Sequence, residues 1–173
     1  MTERIAPHPI EKGPRRRHQA TVGRFSADVD LLDRLDALAV HEADAREIVG
    51  HVCDAIGVEA PILRFHARRS PYTGATEHPR WLLVSEFGES EVLRVERHRR
   101  KTLPIFGAMR LGRTTTLMTI AHELGHHLVF ALEPRATPPH GKVWVRRFDE
   151  AARIISHVVD RVFVPAASDD RVP

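Results

Sequence analysis

Apolar residues recur at helical spacing in four stretches of this chain. The pattern is clearest over residues 113–132 and 142–162, and two shorter stretches precede them. The first of these begins after Ser26 and Asp28, both good helix-capping residues, and the second covers residues 43–56 and ends at Gly57. This period is typical of helices that bury one face, so the pattern predicts four helices. The apolar positions of the first helix are Val29, Leu32, Leu35, Leu38 and Ala39.

Between the second and third of these helices, the apolar residues form short runs or alternate with polar residues instead of repeating at helical spacing. Residues 61–67 and 81–86 are short apolar runs and residues 91–96 alternate apolar with charged side chains, which predicts three strands. Residues 69–79, with two prolines and a glycine, predict a loop. Residues 102–109 are interrupted by Pro104 and Gly107 and fit either an edge strand or an ordered loop. Helices, a small sheet and two further helices together indicate an α+β fold.

The length of 173 residues allows one domain with a substantial core. We expect a flexible N-terminal arm over residues 1–25, a folded domain over 26–164 and a frayed tail over 165–173. No stretch approaches the ~20 apolar residues that span a bilayer, and the N-terminus lacks the apolar core of a secretory signal. The single cysteine, Cys53, lies on an apolar face and is expected to be buried. These features predict a cytoplasmic protein with no membrane partner.

The basic residues are almost all arginine. Of the 26 basic residues, only Lys12, Lys101 and Lys142 are lysine, and the net charge is +3. Arginine pairs well with phosphate, so DNA contact through an arginine-rich surface is one interpretation; composition bias with solvated arginines is an equal alternative. The densest clusters, residues 15–18 and 94–101, contain no Phe, Trp or Tyr, so base stacking on them is not indicated.

The clearest functional signal is the segment His122-Glu123-Leu124-Gly125-His126. His122 and His126 are one helical turn apart, so both imidazoles leave the same side of the helix and can hold one metal ion. The helix's apolar stripe lies on roughly the opposite side. Glu123, at the edge of the histidine face, is placed as the general base of a zinc peptidase. Gly125 costs about 1 kcal/mol relative to Ala in a helix, which indicates that another element approaches closely there.

A catalytic zinc needs three protein ligands and an open position for water. The candidates for the third ligand are His140, Asp149, Glu150 and His127. His140 has suitable chemistry and follows a loop long enough to turn back, whereas either carboxylate on the last helix could replace it. His127 points about 100° away from His126 and is a poor ligand. It is expected to hydrogen-bond to Glu123 or to face solvent.

Two segments resemble the SprT-like (Spartan-type) zinc metallopeptidases: TTTL leading into AHELGH, over residues 114–126, and HGKVW, over residues 140–144. The resemblance covers residues 26–163 in element order, but only about 113–150 at the level of motifs. It implies a zincin-like fold of N-terminal helices, a small mixed β-sheet, the motif helix and a C-terminal helix. It also implies that His140 joins His122 and His126 as a zinc ligand and that Trp144 is the aromatic residue of the second motif.

The function expected on this basis is zinc-dependent hydrolysis of peptide bonds in protein substrates. Zinc held by His122, His126 and His140 lowers the pKa of a water towards ~7, and Glu123 takes its proton as it attacks the carbonyl. Candidates for a further donor to the oxyanion include Tyr72, His127 and the loop arginines. Some SprT-like members cleave proteins crosslinked to DNA, so the resemblance also implies DNA-associated substrates. With one cysteine, the chain has no cysteine-rich zinc ribbon.

Two other functions compete with this interpretation. The ImmA/IrrE-type proteases use the same motif helix, take a carboxylate ligand from a following helix and act on transcriptional regulators. The segment FDEAA, residues 148–152, bears a faint likeness to that ligand segment, and it contains Asp149 and Glu150. The second alternative is a DNA-associated module whose metal site has no catalytic role. A retained Glu123 favours an enzyme, because a purely structural site needs no base.

Overall fold

The computed structural model describes residues 8–9, 28–66, 74–133 and 140–162. These residues form six helices and six short strands, in an α+β arrangement. The helices are α1 (Val29–Ala37), α2 (Glu42–Ile56), α3 (Arg80–Phe87), α4 (Glu89–Arg99), α5 (Leu117–Leu132) and α6 (Lys142–Val162). The strands are β1 (His8–Pro9), β2 (Leu38–His41), β3 (Ile62–His66), β4 (Gly74–Glu77), β5 (Ala108–Gly112) and β6 (Thr114–Thr116).

The strands form two three-stranded sheets. In the first, the order is β1-β2-β6 and both pairs are antiparallel. In the second, the order is β3-β5-β4, with β3 parallel and β4 antiparallel to β5, so that Ala108 lies between Ile62 and Glu77. The second sheet is therefore mixed and the first is antiparallel, and of the three predicted strands only the one over residues 61–67 lies in the mixed sheet, as β3. Within the described ranges, β4 lies at an edge of the mixed sheet.

Helix α5 runs through the centre of the molecule. It packs against α6 along much of its length and also contacts α1, β4 and β5. The predicted apolar stripe of α5 consists of Leu117, Ile120, Leu124, Leu128 and Ala131. The four large residues are fully inaccessible and belong to a single core with Phe148 of α6, whereas Ala131 is partly exposed. The partly exposed residues of α5 are His122, His126, Phe130, Ala131 and Leu132. The two motif histidines thus lie on the open side of an otherwise buried helix, as the pattern predicts.

The predicted helices are confirmed with small changes at their ends. Helix α2 ends at Gly57, whose φ of 77° is the left-handed conformation that glycine adopts at low cost. Asp28 caps α1 by accepting the N–H of Leu31. This helix is shorter than predicted, because Leu38 and Ala39 leave it and pair in β2. Helix α6 has the predicted bounds.

Two predicted strands are wrong, because residues 81–86 and 91–96 lie in helices α3 and α4. A short apolar run fits a buried helix as well as a strand, so the run alone does not distinguish the two. Here the residues at the ends of each segment favour helices. Gly88, with φ 82°, separates the helices, and Arg80 joins them by bonding to Glu89 and Glu96. Acidic residues in the first turn of α4 and basic residues in its last turn complement the helix dipole.

The remaining differences concern strands that the pattern does not indicate. Strand β4 lies within the predicted loop over residues 69–79, and β6 takes the first residues of the predicted motif helix, which begins instead at Leu117 with Thr116 as its cap. The ambiguous segment before Ala108 is a loop that leads into β5, the middle strand of its sheet. No described helix is long and apolar enough to cross a membrane.

The chain termini are largely outside the described residues. Within the predicted arm, the structure describes only β1, which pairs with β2. The predicted tail, residues 165–173, lies beyond the described ranges. Cys53 is buried as expected, and burial raises the pKa of its thiol to about 12.

Candidate metal centre

Three histidine side chains converge on one point beside α5. His122 and His126 come from consecutive turns of this helix, and His140 lies just before α6. The Nε2 atom of His140 is 3.1 Å from Nε2 of His126 and 3.2 Å from Nε2 of His122. Nitrogens bound at about 2.0–2.1 Å to a tetrahedral ion lie about 3.3 Å apart, so both distances fit a shared ion. The three histidines lie close enough to hold a metal ion.

The backbone at His140 has an uncommon conformation. Its φ of 59° places a residue other than glycine in the left-handed region, where histidine is more frequent than most residue types. Such a conformation persists only where the surrounding structure holds it, and this often occurs at functional sites. The turn brings the His140 ring back over α5, where it meets the two motif histidines.

Trp144 forms a wall behind the three imidazoles. Its ring centroid is 4.9 Å from that of His122, 5.4 Å from His126 and 4.6 Å from His140. The Trp144 side chain is 1% exposed and stacks on Phe148, so it is a core anchor of α6 as well as a contact of all three rings. One buried side chain therefore fixes the positions of rings that come from two separate segments.

Gly125 allows α6 to approach this closely. A Cβ at this position would lie 3.0 Å from Nε1 of Trp144 and 3.2 Å from both Cα and Cβ of Phe148. The close approach predicted from a glycine in the middle of a helix is confirmed, and the approaching element is α6.

The surroundings favour neutral imidazoles. Burial is the main cause that lowers the pKa of His126, to about 4, and the nearby His140 and His78 lower it further. Burial also lowers the pKa of His140. Only an unprotonated imidazole nitrogen can bind a metal, so a cluster with these properties has the required chemistry.

Glu123 lies inside the protein and is held by β4. Its side chain is 6% exposed, and the Thr76 hydroxyl, 2.7 Å from Oε2, donates to the carboxylate. Burial raises the pKa of Glu123 to about 7, and the bond from Thr76 partly opposes this rise. Gly74 leaves room for the carboxylate, because a Cβ there would lie 2.6 Å from Cγ and 2.8 Å from Oε1 of Glu123.

Thr76 and Gly74 were not predicted as site residues. They lie in the segment expected to be a loop, and Thr76 precedes Glu123 by 47 positions. No local motif connects them to Glu123, since their proximity depends on the pairing of β4 with β5 and on its packing against α5.

The other side chains predicted for the site are not part of the three-histidine cluster in the described residues. His127 is buried and its Nε2–H donates to the carbonyl of Glu59 at 2.8 Å, so the expected bond to Glu123 or exposure to solvent is wrong. Glu150 pairs with Arg147, and the cluster of potential metal ligands in the described part of the chain contains neither Glu150 nor Asp149. Tyr72 lies outside the described residues.

Comparisons with known proteins identify no relative. No protein-family model matches the chain, and no curated protein or solved structure matches it at a significant level. The resemblance to SprT-like peptidases, and the zincin-like fold that it implies, therefore remain predictions.

Proposed function

We propose that this protein is a zinc-dependent peptidase with a zincin-like fold, similar to the SprT-like type. The observation that carries the proposal is the convergence of His122, His126 and His140, in which Nε2 of His140 has the spacing to Nε2 of each motif histidine that two ligands of one tetrahedral ion have. Imidazole nitrogens suit zinc, and three of them leave the fourth position of a tetrahedral ion open, as in catalytic sites. A buried carboxylate next to the first of these histidines is the second support.

In this proposal, each side chain has a distinct role. When bound, zinc supplies a Lewis acid that lowers the pKa of a water towards ~7 and polarises a peptide carbonyl. Glu123 accepts the proton of the attacking water and returns it to the leaving amine. Thr76 holds the Glu123 carboxylate through its hydroxyl, and Trp144 holds the three imidazole rings.

The contacts of the last helix argue against the ImmA/IrrE-type alternative. In that alternative a carboxylate of α6 replaces His140. Glu150 is instead paired with Arg147, whereas His140 already lies beside both motif histidines. We therefore assign the third ligand to His140.

Two variants test the metal centre and the base separately. Purified protein loaded with zinc is expected to hold one ion per chain, and His140→Ala is expected to lose it. Glu123→Gln should keep the ion but lower the rate of casein cleavage by about 100-fold or more, because a general base contributes about that much. His157→Ala, which removes an exposed histidine of α6, is the matched control and should resemble the wild type.

Each outcome has a clear meaning. Equal zinc content in His140→Ala and wild type would overturn the ligand assignment. Wild-type cleavage by Glu123→Gln would overturn the peptidase mechanism. Zinc binding without cleavage by the wild type would favour the alternative of a metal-binding, DNA-associated module without catalysis.

A further inference from the structure

A pocket of about 290 Å³ opens beside the C-terminal half of α5. His127, Phe130, Ala131 and Leu132 of this helix form one side of it. The segment that follows α2 and the residues around Pro79 form the other walls, with Phe106 at the mouth. Pockets for small molecules usually measure about 300–1,000 Å³, so this one has room for a single large side chain rather than for a long segment of peptide.

Hydrogen bonds between the walls hold the pocket in shape. The His127 ring donates to the Glu59 carbonyl and thereby fixes the segment after α2 to α5. The loop that contains Phe106 is held at both of its ends. The Pro104 carbonyl accepts the N–H of Arg80 at 2.8 Å, and the Gly107 carbonyl accepts the N–H of Ile62 at 3.1 Å. The cavity is thus a formed feature of the fold, as expected of a binding pocket.

The lining of the pocket is mainly apolar. Val58, Pro79 and Phe130 contribute apolar surface, and Trp81 and Phe106 remain 36% and 47% exposed at its rim. Large apolar side chains left exposed around a concave surface often mark a binding site. Among the described residues that line the pocket there is no arginine or lysine, and the one acidic residue, Glu59, would repel an acidic group. The chemistry that fits is a neutral, apolar side chain.

The pocket adjoins the metal centre through shared residues. Phe130 lines the pocket, and its ring centroid is 6.5 Å from that of the ligand His126. Phe130 also stacks on His78, with 4.3 Å between the ring centroids. The chain that holds Glu123 through Thr76 continues from β4 past His78 to the pocket wall at Pro79. A polypeptide lying across the histidine cluster can therefore reach the pocket with a nearby side chain.

We infer that this pocket binds one large apolar side chain, preferably aromatic, of a polypeptide whose backbone lies at the three-histidine centre. It would thus set the sequence preference of cleavage at residues next to the broken bond. This inference rests on the proposed peptidase function for its role in cleavage, but not for binding itself.

The first experiment measures binding without activity. Metal-free protein is titrated with N-acetyl-phenylalaninamide and, separately, with N-acetyl-alaninamide, and tryptophan fluorescence is recorded. Trp81 is at the rim of the pocket and Trp144 is buried, so filling the pocket should change the emission of Trp81. We expect a saturable change with the phenylalanine compound alone, and its loss in Trp81→Phe.

Two variants locate that binding. Ala131→Phe fills the pocket and should abolish the response, whereas Ala43→Phe adds the same ring at an exposed position of α2 and should not. Phe106→Ala removes part of the exposed rim and should weaken binding even if Ala131→Phe fails to fold. Equal responses to the two amides, or a response unchanged in Phe106→Ala and Ala131→Phe, would overturn the inference.

The second experiment uses the zinc-loaded protein and a random peptide mixture, with cleavage sites read by mass spectrometry. We expect enrichment of large apolar residues at one position beside the cleaved bond, by about tenfold over small residues, and loss of this enrichment in Ala131→Phe. Cleavage without any such preference would overturn the inference while supporting the peptidase. If no peptide is cleaved, the proposed function fails, and the fluorescence titration alone decides whether the pocket binds.

Discussion

A single residue of α5, Gly125, determines how closely α6 can approach the motif histidines. Gly125 faces α6 at the level of Trp144, the side chain that contacts all three candidate ligands. Its missing side chain therefore has a structural role that a comparison of helix propensities does not reveal.

Gly125→Ala tests this role. The added methyl group would be 3.0 Å from Trp144 Nε1 and 3.2 Å from the Phe148 backbone, so the Trp144 side chain and α6 must give by a few tenths of an ångström. Overpacking costs about 1–3 kcal/mol, more than the ~1 kcal/mol that Ala gains over Gly in a helix, so we expect a net loss of stability in urea unfolding. In Gly50→Ala, where nothing lies within 4 Å of the added atom, we expect a gain of about 0.5–1 kcal/mol. A gain in both variants would show that α6 yields without cost.

Thr76 positions the proposed general base through a hydrogen bond and is not itself a candidate metal ligand. Thr76→Val removes the hydroxyl that donates to Glu123 and leaves a buried carboxylate without that bond. A lost partner of this kind costs about 1–3 kcal/mol, so kcat/KM should fall by about tenfold to 100-fold while zinc content stays the same. Thr76→Ser keeps the hydroxyl and should restore most of the activity. If the serine variant is as slow as the valine variant, the hydrogen bond is not the cause.

At the scale of elements, the sequence pattern identified long helices better than short segments. Helix α6 could be predicted from end to end because its apolar stripe continues for 21 residues. Residues 81–86 were misread because six residues do not distinguish a period of two from one of 3.6. Strand β5 is flanked by a loop and buried within its sheet, so it shows no alternation that would reveal it.

A further prediction concerns the junction between α5, which carries two of the candidate ligands, and α6, which follows the third. Glu133, directly after α5, accepts hydrogen bonds at 2.7 Å from both Arg146 and Arg147 of α6. These bonds link the helix of the motif to the first turns of the helix that follows His140. Glu133→Gln should therefore weaken zinc binding several-fold, as measured by competition with a chromogenic chelator, with little change in overall stability because such pairs contribute little to it.

Its matched control is Glu91→Gln, which removes a similar charged pair with Arg94 within α4. That pair lies in a helix that carries no candidate ligand, so zinc affinity should not change. Equal affinities in Glu133→Gln and Glu91→Gln would show that the junction does not position His140.

At the scale of the whole molecule, the cluster of three histidines could be predicted, but the residues that support it could not. The spacing of His122 and His126 is a local property of one helix, and the resemblance to a peptidase family favours His140 among the four candidates for the third ligand. Thr76 reaches Glu123 only through a sheet whose strands come from distant parts of the chain. Supporting residues of this kind can be identified only when the order of the strands in the sheet is known, because hydrophobic periodicity does not predict that order.

The arginine-rich surface supports one last prediction, on DNA. In the cluster over residues 94–101, Arg94 is paired with Glu91, whereas Arg97 and Arg99 are exposed in the last turn of α4. If these guanidinium groups contact phosphates, the affinity for a labelled duplex must fall as salt rises, by a slope of about 0.9 per contact in a double-logarithmic plot. Replacing both Arg97 and Arg99 with Gln should reduce the magnitude of that slope by the amount expected for two lost contacts. Arg153→Gln, which changes an exposed residue of α6, should leave the slope unchanged. An affinity that stays constant from low to moderate salt would show that the arginines are solvated surface.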